Sequence, residues 1–303
     1  MGNFEADLIF SCGENIFLPV VDSWIVIDVL RATTVITRWF ELDGPELFPV
    51  KGTNEARQLV TKLKELGRKP LLMGEVNGIP PEGFDLGNSP VELNKELIKN
   101  YDCGVMSTTN GTVALNQALE SGSYVVAASF RNASACLAHA LSVGPRVGLL
   151  CSGRKRRPSW EDTLLAGAIL EELNSLGQVL MTDSAKIALA LWKNRDENLE
   201  ACVKKSEHAE YLLRIGYEND IKFACEKNIS SVVPVYGIVR TDGWSDYPSA
   251  SLKAVRLSGP HVKISQAPEP QKNPGLESPV DPFEELLAYT KKNSPDFFLG
   301  RKN

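Results

Sequence analysis

Short apolar, β-branched runs alternate along this chain with longer amphipathic stretches, and this alternation constrains the fold more than any other feature. Trp24 to Leu30, Cys103 to Ser107 and Tyr124 to Ala128 have the length and composition of buried strands. Ala32 to Glu41 and Thr112 to Glu120 follow with helical periodicity. Strands that alternate with helices favour parallel pairing, because each helix carries the chain back across the sheet. We therefore predict an α/β fold with a layered parallel or mixed sheet flanked by helices.

The other predicted elements continue this pattern over residues 1–240, which we interpret as one α/β unit. Further strands are predicted at Ala6 to Phe10, Glu46 to Val50, Pro70 to Met73, Val147 to Cys151 and Val232 to Val239. Further helices are predicted at Thr53 to Leu66, Pro90 to Lys99, Ala133 to Leu141, Glu161 to Leu176, Ser184 to Lys193, Glu207 to Leu213 and Asp220 to Glu226. The region from about 160 to 228 is mostly helical, which predicts a helical second lobe.

The segment 241–303 differs from the rest because prolines interrupt it repeatedly. Short strands are predicted at Lys253 to Leu257 and Val262 to Ser265, and one helix at Pro282 to Lys292. We interpret this segment as an appended C-terminal tail that packs on the core or on a second subunit, so a homo-oligomer is one expectation.

Composition excludes several classes of protein. The chain has 303 residues and a net charge of −5, and its basic residues are scattered apart from one short run, which argues against nucleic-acid binding. No apolar run approaches the roughly 18 residues of a membrane span, and the polar N-terminus does not resemble a signal peptide. The six cysteines form no C-x-x-C pair, which is typical of free thiols in a reducing cytoplasm.

A first chemistry-bearing segment joins a strand to a helix at Asp28, Arg31, Thr33 and Thr34. A helix N-terminus favours an anion, and we expect Arg31 to fork onto a phosphate or carboxylate while the threonines add hydroxyl donors. Asp28 would repel an anion, so it is better explained as holding a cation beside it. The alternative is that Asp28 caps the helix and pairs with Arg31.

A second segment contains Glu75 and then the glycine-rich loop with Asp85, Asn88 and Ser89. Oxygen ligands on loops suit Mg²⁺, so Glu75 and Asp85 are candidate metal ligands. Asn88 and Ser89 are candidates for substrate binding, or for capping the following helix.

A third segment, like the first, joins a predicted strand to a predicted helix. Its turn consists of Thr109, Asn110, Gly111 and Thr112. Main-chain N–H groups in such a turn form an anion nest. The alternative is an ordinary Asn-Gly turn capped by a threonine.

A fourth segment is the basic loop from Arg154 to Arg157, followed by Glu161 and Asp162. Arg154 and Arg157 are candidates for holding an acidic substrate, and Glu161 or Asp162 for a further metal ligand. The alternative is a solvated loop before a helix that Ser159 caps.

Several catalytic classes lose support. The chain lacks G-x-G-x-x-G, a P-loop and G-x-S-x-G. The three histidines lie far apart in sequence and form no metal pair or triad, so we interpret them as structural or solvent-facing. Cys151 to Arg157 fits C-x5-R, the phosphate loop of cysteine phosphatases, which leaves a metal-free cysteine phosphatase as one alternative.

Four motifs occur here in a characteristic order, namely IDVLRATT from Ile27, GFDLGNSP from Gly83, TTNGT from Thr108 and EDTLLAGAI from Glu161. Over about Leu8 to Val239 the chain resembles the Mg²⁺-dependent 2-phosphosulfolactate phosphatases of coenzyme M biosynthesis. The resemblance implies an α/β enzyme that hydrolyses the phosphate ester of a 2-hydroxy acid with Mg²⁺.

Two departures from the family pattern are visible. Val76 stands where the family usually has arginine after Gly-Glu, and the loop before Glu161 is unusually basic. On the resemblance we hypothesise direct hydrolysis, with Asp28, Arg31 and Asp85 as catalytic residues. The alternative from another class is a non-catalytic binder of small phosphorylated acids, which would use the same anion nests.

Overall fold

The computed structural model describes residues 2–14, 16–239 and 249–257. The predicted strand at Val262 to Ser265 and helix at Pro282 to Lys292 lie outside these residues. The strands are β1 (Gly2–Ile9), β2 (Ser23–Ile27), β3 (Leu47–Val50), β4 (Pro70–Gly74), β5 (Cys103–Ser107), β6 (Tyr124–Ala128), β7 (Arg146–Cys151), β8 (Gly177–Met181), β9 (Val232–Val239) and β10 (Ser249–Arg256). The helices are α1 (Ala32–Glu41), α2 (Thr53–Glu65), α3 (Lys95–Ile98), α4 (Gly111–Glu120), α5 (Ala133–Val143), α6 (Trp160–Leu176), α7 (Asp183–Lys193), α8 (Leu199–Val203), α9 (Glu207–Arg214) and α10 (Glu218–Ala224).

The described strands form one mixed sheet in the order β4-β5-β3-β10-β9-β6-β2-β7-β1-β8. The pairs β4–β5, β3–β5, β6–β2, β2–β7, β7–β1 and β1–β8 are parallel. The pairs that β9 makes with β6 and β10, and the pair between β10 and β3, are antiparallel. The predicted α/β class and mixed sheet are confirmed. Central strands such as β2 are buried along their whole length, as expected of strands covered on both faces.

Helices α1 and α4 share one core with side chains from most of the sheet, from β4 at one end through to β7. A second core packs α5, α6 and α7 against the opposite face of β1, β2, β6 and β7, and a third packs α2 against β3, β4 and β5. The first residues of α1 and α4 lie close together, since a Cβ added to Gly111 would be 2.4 Å from Ala32 Cβ, although four strands lie between β2 and β5 in the sheet.

The region 160–228 is mostly helical, as predicted, but it also contains a strand. β8 was not predicted, and it extends the sheet by pairing with β1, from Gly2↔Gly177 to Ala6↔Met181. Helix α6 packs in the core against the sheet, and nearly all of its first three turns are buried. The shorter helices α8 to α10 also pack on this core.

One predicted helix was wrong. Pro90 to Lys99 forms turns followed by the short helix α3, which begins only after Asn94. The Asn94 side chain accepts a hydrogen bond from Leu97 N at 2.9 Å, so this cap starts the helix later than the apolar pattern indicated. Among the described residues, no helix has the length and apolar character needed to cross a membrane.

Strand β10 joins the two halves of the sheet. It lies within the predicted tail 241–303, yet it forms a hairpin with β9 and contacts β3 through the pair Leu252↔Leu47. Leu252 is fully buried in the same core as α1 and α4. This part of the tail therefore belongs to the fold.

We expect Leu252→Ala to lower the free energy of unfolding by about 2–5 kcal/mol, because it leaves a cavity where the two halves of the sheet meet. Val255→Ala, on the same strand at a site that is 39% exposed, should change it by about 0.5 kcal/mol or less. Urea denaturation of both variants measures the difference. Equal losses would contradict a bridging role for Leu252.

Candidate active site

Asp28 follows β2, and its carboxylate lies where helices α1 and α4 begin. Its Oδ1 accepts a hydrogen bond from Ala32 N, in the first residue of α1, at 3.3 Å. Gly111, the first residue of α4, lies so close that an added Cβ would be 2.6 Å from Asp28 Oδ2 and 2.4 Å from Ala32 Cβ. The first and third predicted segments therefore meet in space, and two positive helix ends converge on one carboxylate.

Glu75 connects the second segment to the third. It follows β4, and its Oε1 accepts a hydrogen bond from Thr109 N at 2.8 Å. Its Oε2 accepts one from Gly78 N at 2.6 Å. An ionised carboxylate has about four lone-pair sites, so Glu75 retains the capacity to accept further hydrogen bonds or to bind a cation.

Asp162 connects the fourth segment to the first. Its Oδ1 accepts a hydrogen bond from Val29 N at 2.8 Å, and its Oδ2 lies 3.3 Å from Gly153 N and 3.2 Å from Ser152 Oγ. Burial, together with the charges of Glu161 and Asp28, raises the pKa of Asp162 well above its ordinary value. This carboxyl therefore joins the loop after β2 to the loop after β7.

Glu161 is equally buried, but its two carboxylate oxygens have fewer hydrogen-bond partners than those of Asp162. Its Oε1 lies 3.4 Å from His208 Nδ1, whereas its Oε2 is buried and has no hydrogen-bond partner among the described residues. Although burial alone would raise the pKa of Glu161, the hydrogen bond and charge of His208 lower it below the ordinary range. Of the two acids at the start of α6, Glu161 is the one with a free oxygen.

Burial, together with the charges of neighbouring side chains, shifts the pKa of Asp28. Burial raises the pKa of Asp28 to about 6, the nearby charge of Glu75 also raises it, and the charge of His208 opposes this. Asp28, Glu75, Glu161, Asp162 and His208 are therefore electrostatically connected, although they come from segments that are far apart in sequence.

Arg31 has a different environment from the one predicted. Its Nη1 donates a hydrogen bond to Asp220 Oδ2 at 2.7 Å and its Nη2 donates one to Gly78 O at 2.7 Å, while the guanidinium lies 4.2 Å from the centroid of the Tyr217 ring. The pair with Asp220 is almost fully buried. Both terminal nitrogens thus have protein partners, so Arg31 links the first loop to α10 and to the turn at Gly78. Contact of its remaining N–H groups with a phosphate stays a prediction.

The threonine hydroxyls are also used locally. Thr33 Oγ1 donates to Asp28 O and Thr34 Oγ1 donates to Val29 O, both at 2.8 Å. Thr112 Oγ1 donates to Thr108 O at 3.0 Å. These bonds shape the turns before α1 and α4. Donation of the Thr33 and Thr34 hydroxyls to a phosphate stays a prediction.

Asp85 does not join the other carboxylates. It is exposed, and its Oδ2 accepts a hydrogen bond from Leu72 N at 2.8 Å, in the middle of β4. Since β4 is the edge strand, this carboxylate satisfies an N–H group that has no neighbouring strand. The contacts give no support to Asp85 as a catalytic residue or metal ligand.

Asn88 and Ser89, from the same loop, are both buried. Ser89 Oγ donates to Asp220 Oδ1 at 2.6 Å, which adds this loop to the unit held by Arg31. Asn88 Oδ1 has no hydrogen-bond partner among the described residues, so it can accept a hydrogen bond from a bound molecule.

The predicted basic loop is a tight turn. Arg154 and Arg157 exchange two main-chain hydrogen bonds, and Lys155 and Arg156 between them have φ of 52° and 60°. Arg157 is exposed, whereas the guanidinium of Arg154 lies 5.3 Å from the centroid of the Tyr211 ring. Arg154 therefore faces helix α9.

A second tight turn, which contains Asn77 and Gly78, lies on the other side of Tyr211. Tyr211 Oη donates to Asn77 O at 2.8 Å. Helix α9 thus contacts both turns and presents His208 and Tyr211, three residues apart, on one face.

Cys151 is unsuited to nucleophilic catalysis. The thiol is fully buried at the end of β7, and burial together with the charges of Asp162 and Glu161 raises its pKa well above the ordinary value. A reactive thiolate needs an electropositive, partly exposed environment. The structure therefore disfavours the cysteine phosphatase alternative.

Sequence reasoning missed His208 and Asp220. His208 was interpreted as structural, and no local pattern shows that its helix faces Glu161. Asp220 lies in the first turn of α10 after Glu218 and Asn219, where an acid is ordinary, and its partner Arg31 is distant in sequence.

The chain was compared with known proteins. The family model described as 2-phosphosulpholactate phosphatase matches residues 16–237. The protein named "Probable 2-phosphosulfolactate phosphatase" in Deinococcus radiodurans is 35% identical over 233 residues, which cover 77% of this chain and 92% of the relative. Those with the same name in Thermus thermophilus and Thermotoga maritima are 36% and 38% identical, over 74% and 69% of this chain and 90% and 87% of the relatives. The match includes all the segments that meet around Asp28, and the chain belongs to the 2-phosphosulpholactate phosphatase family.

Proposed function

We propose that this chain hydrolyses the phosphate monoester of a small 2-hydroxy acid, with 2-phosphosulfolactate converted to sulfolactate and phosphate as the expected reaction. The observation that carries the proposal is the convergence of two helix N-termini with several buried carboxylates at Asp28. Helix N-termini favour a phosphate group. A binder of phosphate alone would gain little from acids beside it, whereas phosphoryl transfer uses acids to hold a cation.

Mg²⁺ is part of this proposal, and one or two of the carboxylates of Asp28, Glu75 and Glu161 would hold it, with waters as its other ligands. These residues offer only oxygen ligands, and Glu161 Oε2 is buried without a partner among the described residues. Within the described part of the chain no three acidic, histidine or cysteine side chains are grouped as a ready metal site. Mg²⁺ keeps several waters and usually takes one or two carboxylates, so this donor set fits it. When bound, Mg²⁺ neutralises phosphate oxygens and lowers the pKa of a bound water.

The chain's own residues hold and orient the reactants. In this proposal the first turns of α1 and α4 stabilise the phosphoryl oxygens as their charge redistributes. Asn88 Oδ1 accepts a hydrogen bond from a hydroxyl or water at the site, and Arg154 faces the acidic end of the substrate. The oxygen of a water forms a bond to phosphorus as the ester P–O bond breaks, and the proton that this water loses balances the one that the departing alcohol oxygen takes up. Hydrogen bonds hold the loops around the site in place, and they are made by Arg31, Asp162 and Asp220.

We expect Asp28→Asn to reduce kcat by at least about 100-fold, since the charge is lost at the reacting group, without loss of folding. The matched control is Asp85→Asn, which should stay within about threefold of the parent protein, because its carboxylate bonds only to the edge strand. Phosphate release and circular dichroism measure activity and folding. Equal losses in the two variants would contradict the assignment of Asp28.

Gly111→Ala should reduce kcat by about 100-fold, because the added methyl group would overlap Ala32 and displace Asp28, and a shift of about 1 Å can cost this much. Gly52→Ala is the control, since a Cβ there would meet nothing within 4 Å. Normal turnover by Gly111→Ala would show that the close approach of α1 and α4 is not needed.

Phosphate release from 2-phosphosulfolactate, 2-phospholactate and phosphoglycolate should require Mg²⁺, stop in EDTA and survive Cys151→Ser, since Cys151 is buried beside carboxylates. The order of the rates identifies the acid. Release in EDTA that disappears in Cys151→Ser would establish the cysteine mechanism. Binding of these acids in calorimetry without release of phosphate from any of them would establish a non-catalytic binder.

A further inference from the structure

The two oxygens of Glu161 have different surroundings although the side chain is only 2% exposed. Oε1 lies 3.4 Å from His208 Nδ1, and Oε2 has no hydrogen-bond partner among the described residues. A buried carboxylate oxygen without a donor is costly. Its retention beside the other acids is explained if a bound group occupies that side of the carboxylate.

His208 is itself held in a defined position. It lies in the first turn of α9, where Ser206 Oγ accepts a hydrogen bond from Ala209 N at 3.0 Å. Ala209 and Leu212 of the same helix are buried in the core, and one turn further on Tyr211 is hydrogen-bonded to Asn77 O. The position of the ring therefore depends on tertiary packing of the whole helix.

Asp162 cannot replace Glu161 in presenting a free oxygen. Each of its two oxygens already accepts at least one hydrogen bond, from Val29 N on one side and from Gly153 N and Ser152 Oγ on the other. The adjacent acids therefore have separate tasks, and only Glu161 has an oxygen that its neighbours leave free.

We infer that His208 is a positioning residue, which holds Glu161 Oε1 so that Oε2 is directed at a hard divalent cation. This inference rests on the proposed function, because the cation is the one that the phosphatase reaction would use. In this inference His208 is an outer residue that orients a metal-binding carboxylate. Loss of such a residue typically reduces metal affinity about 10- to 100-fold.

The side-chain chemistry of asparagine and glutamine allows a sharp test. In His208→Asn the amide nitrogen takes the position of Nδ1, so the contact with Glu161 can persist. In His208→Gln the amide nitrogen takes the position of Nε2 instead, and in His208→Ala position 208 offers no donor, which leaves only the Ser159 side chain and the main chain beside Glu161. Mn²⁺ alone is titrated into the full chain, and free Mn²⁺ is followed by electron paramagnetic resonance. Thermal unfolding of each variant reports on folding.

We expect His208→Ala and His208→Gln to bind Mn²⁺ about 10- to 100-fold more weakly than the parent chain, and His208→Asn to remain within about threefold of it. Glu161→Gln should be at least as weak as His208→Ala, and the double variant no weaker than Glu161→Gln, since His208 acts only through Glu161. Equal affinity in all three His208 variants would overturn the inference, as would a His208→Asn variant as weak as His208→Ala.

Activity separates this inference from the proposed function. If the parent chain binds Mn²⁺ and the variants rank as expected, but no phosphomonoester is hydrolysed, the proposed function fails and the role of His208 stands. If the parent chain is a Mg²⁺-dependent phosphatase and His208→Ala needs no more Mg²⁺ for half-maximal rate, the role of His208 fails alone.

Discussion

The close approach of helices α1 and α4 is the constraint on which the candidate site depends. Because Gly111 has no side chain, the first residues of the two helices come into direct contact, and Asp28 is enclosed between them. Both helices pack in one core with strands from β4 to β7. This packing brings their N-termini together although four strands lie between β2 and β5 in the sheet, so that both N-termini can act on one ligand. The geometry of the candidate site thus depends on how these two helices pack.

The buried acids are not equivalent, and their partners explain the differences. Asp162 is surrounded by donors from two loops and holds them together. Asp220 neutralises Arg31 and fixes a third loop through Ser89. Glu161 instead keeps one oxygen without a partner among the described residues. Removing one member of a buried pair such as Arg31 and Asp220 leaves an uncompensated charge, which is costly. Asp162 and Asp220 therefore have structural partners, although they lie beside the proposed metal ligands.

Much of the fold could be predicted because its signals are local. The limits of α1, β5, β6 and β9 agree with the apolar patterns, since such buried segments carry continuous apolar or amphipathic periods. The strand β8 was missed because it is short and half-exposed, and its pairing with β1 is not encoded nearby. The contacts of Asp85 do not support its predicted metal role for a related reason, since a polar loop that suits a metal also suits the hydrogen-bonding of an edge strand.

The sequence by itself determined the α/β class, the strand-to-helix turns and the residue types that a phosphate site needs, because these depend on periodicity and on glycine, hydroxyl and acidic groups close together in the chain. Only the tertiary structure decided which side chains face the site. It turned Arg31 inward to Asp220, gave Asp162 a structural task and brought His208 to Glu161. These contacts join residues distant along the chain, and packing between elements sets their geometry, which no local pattern records.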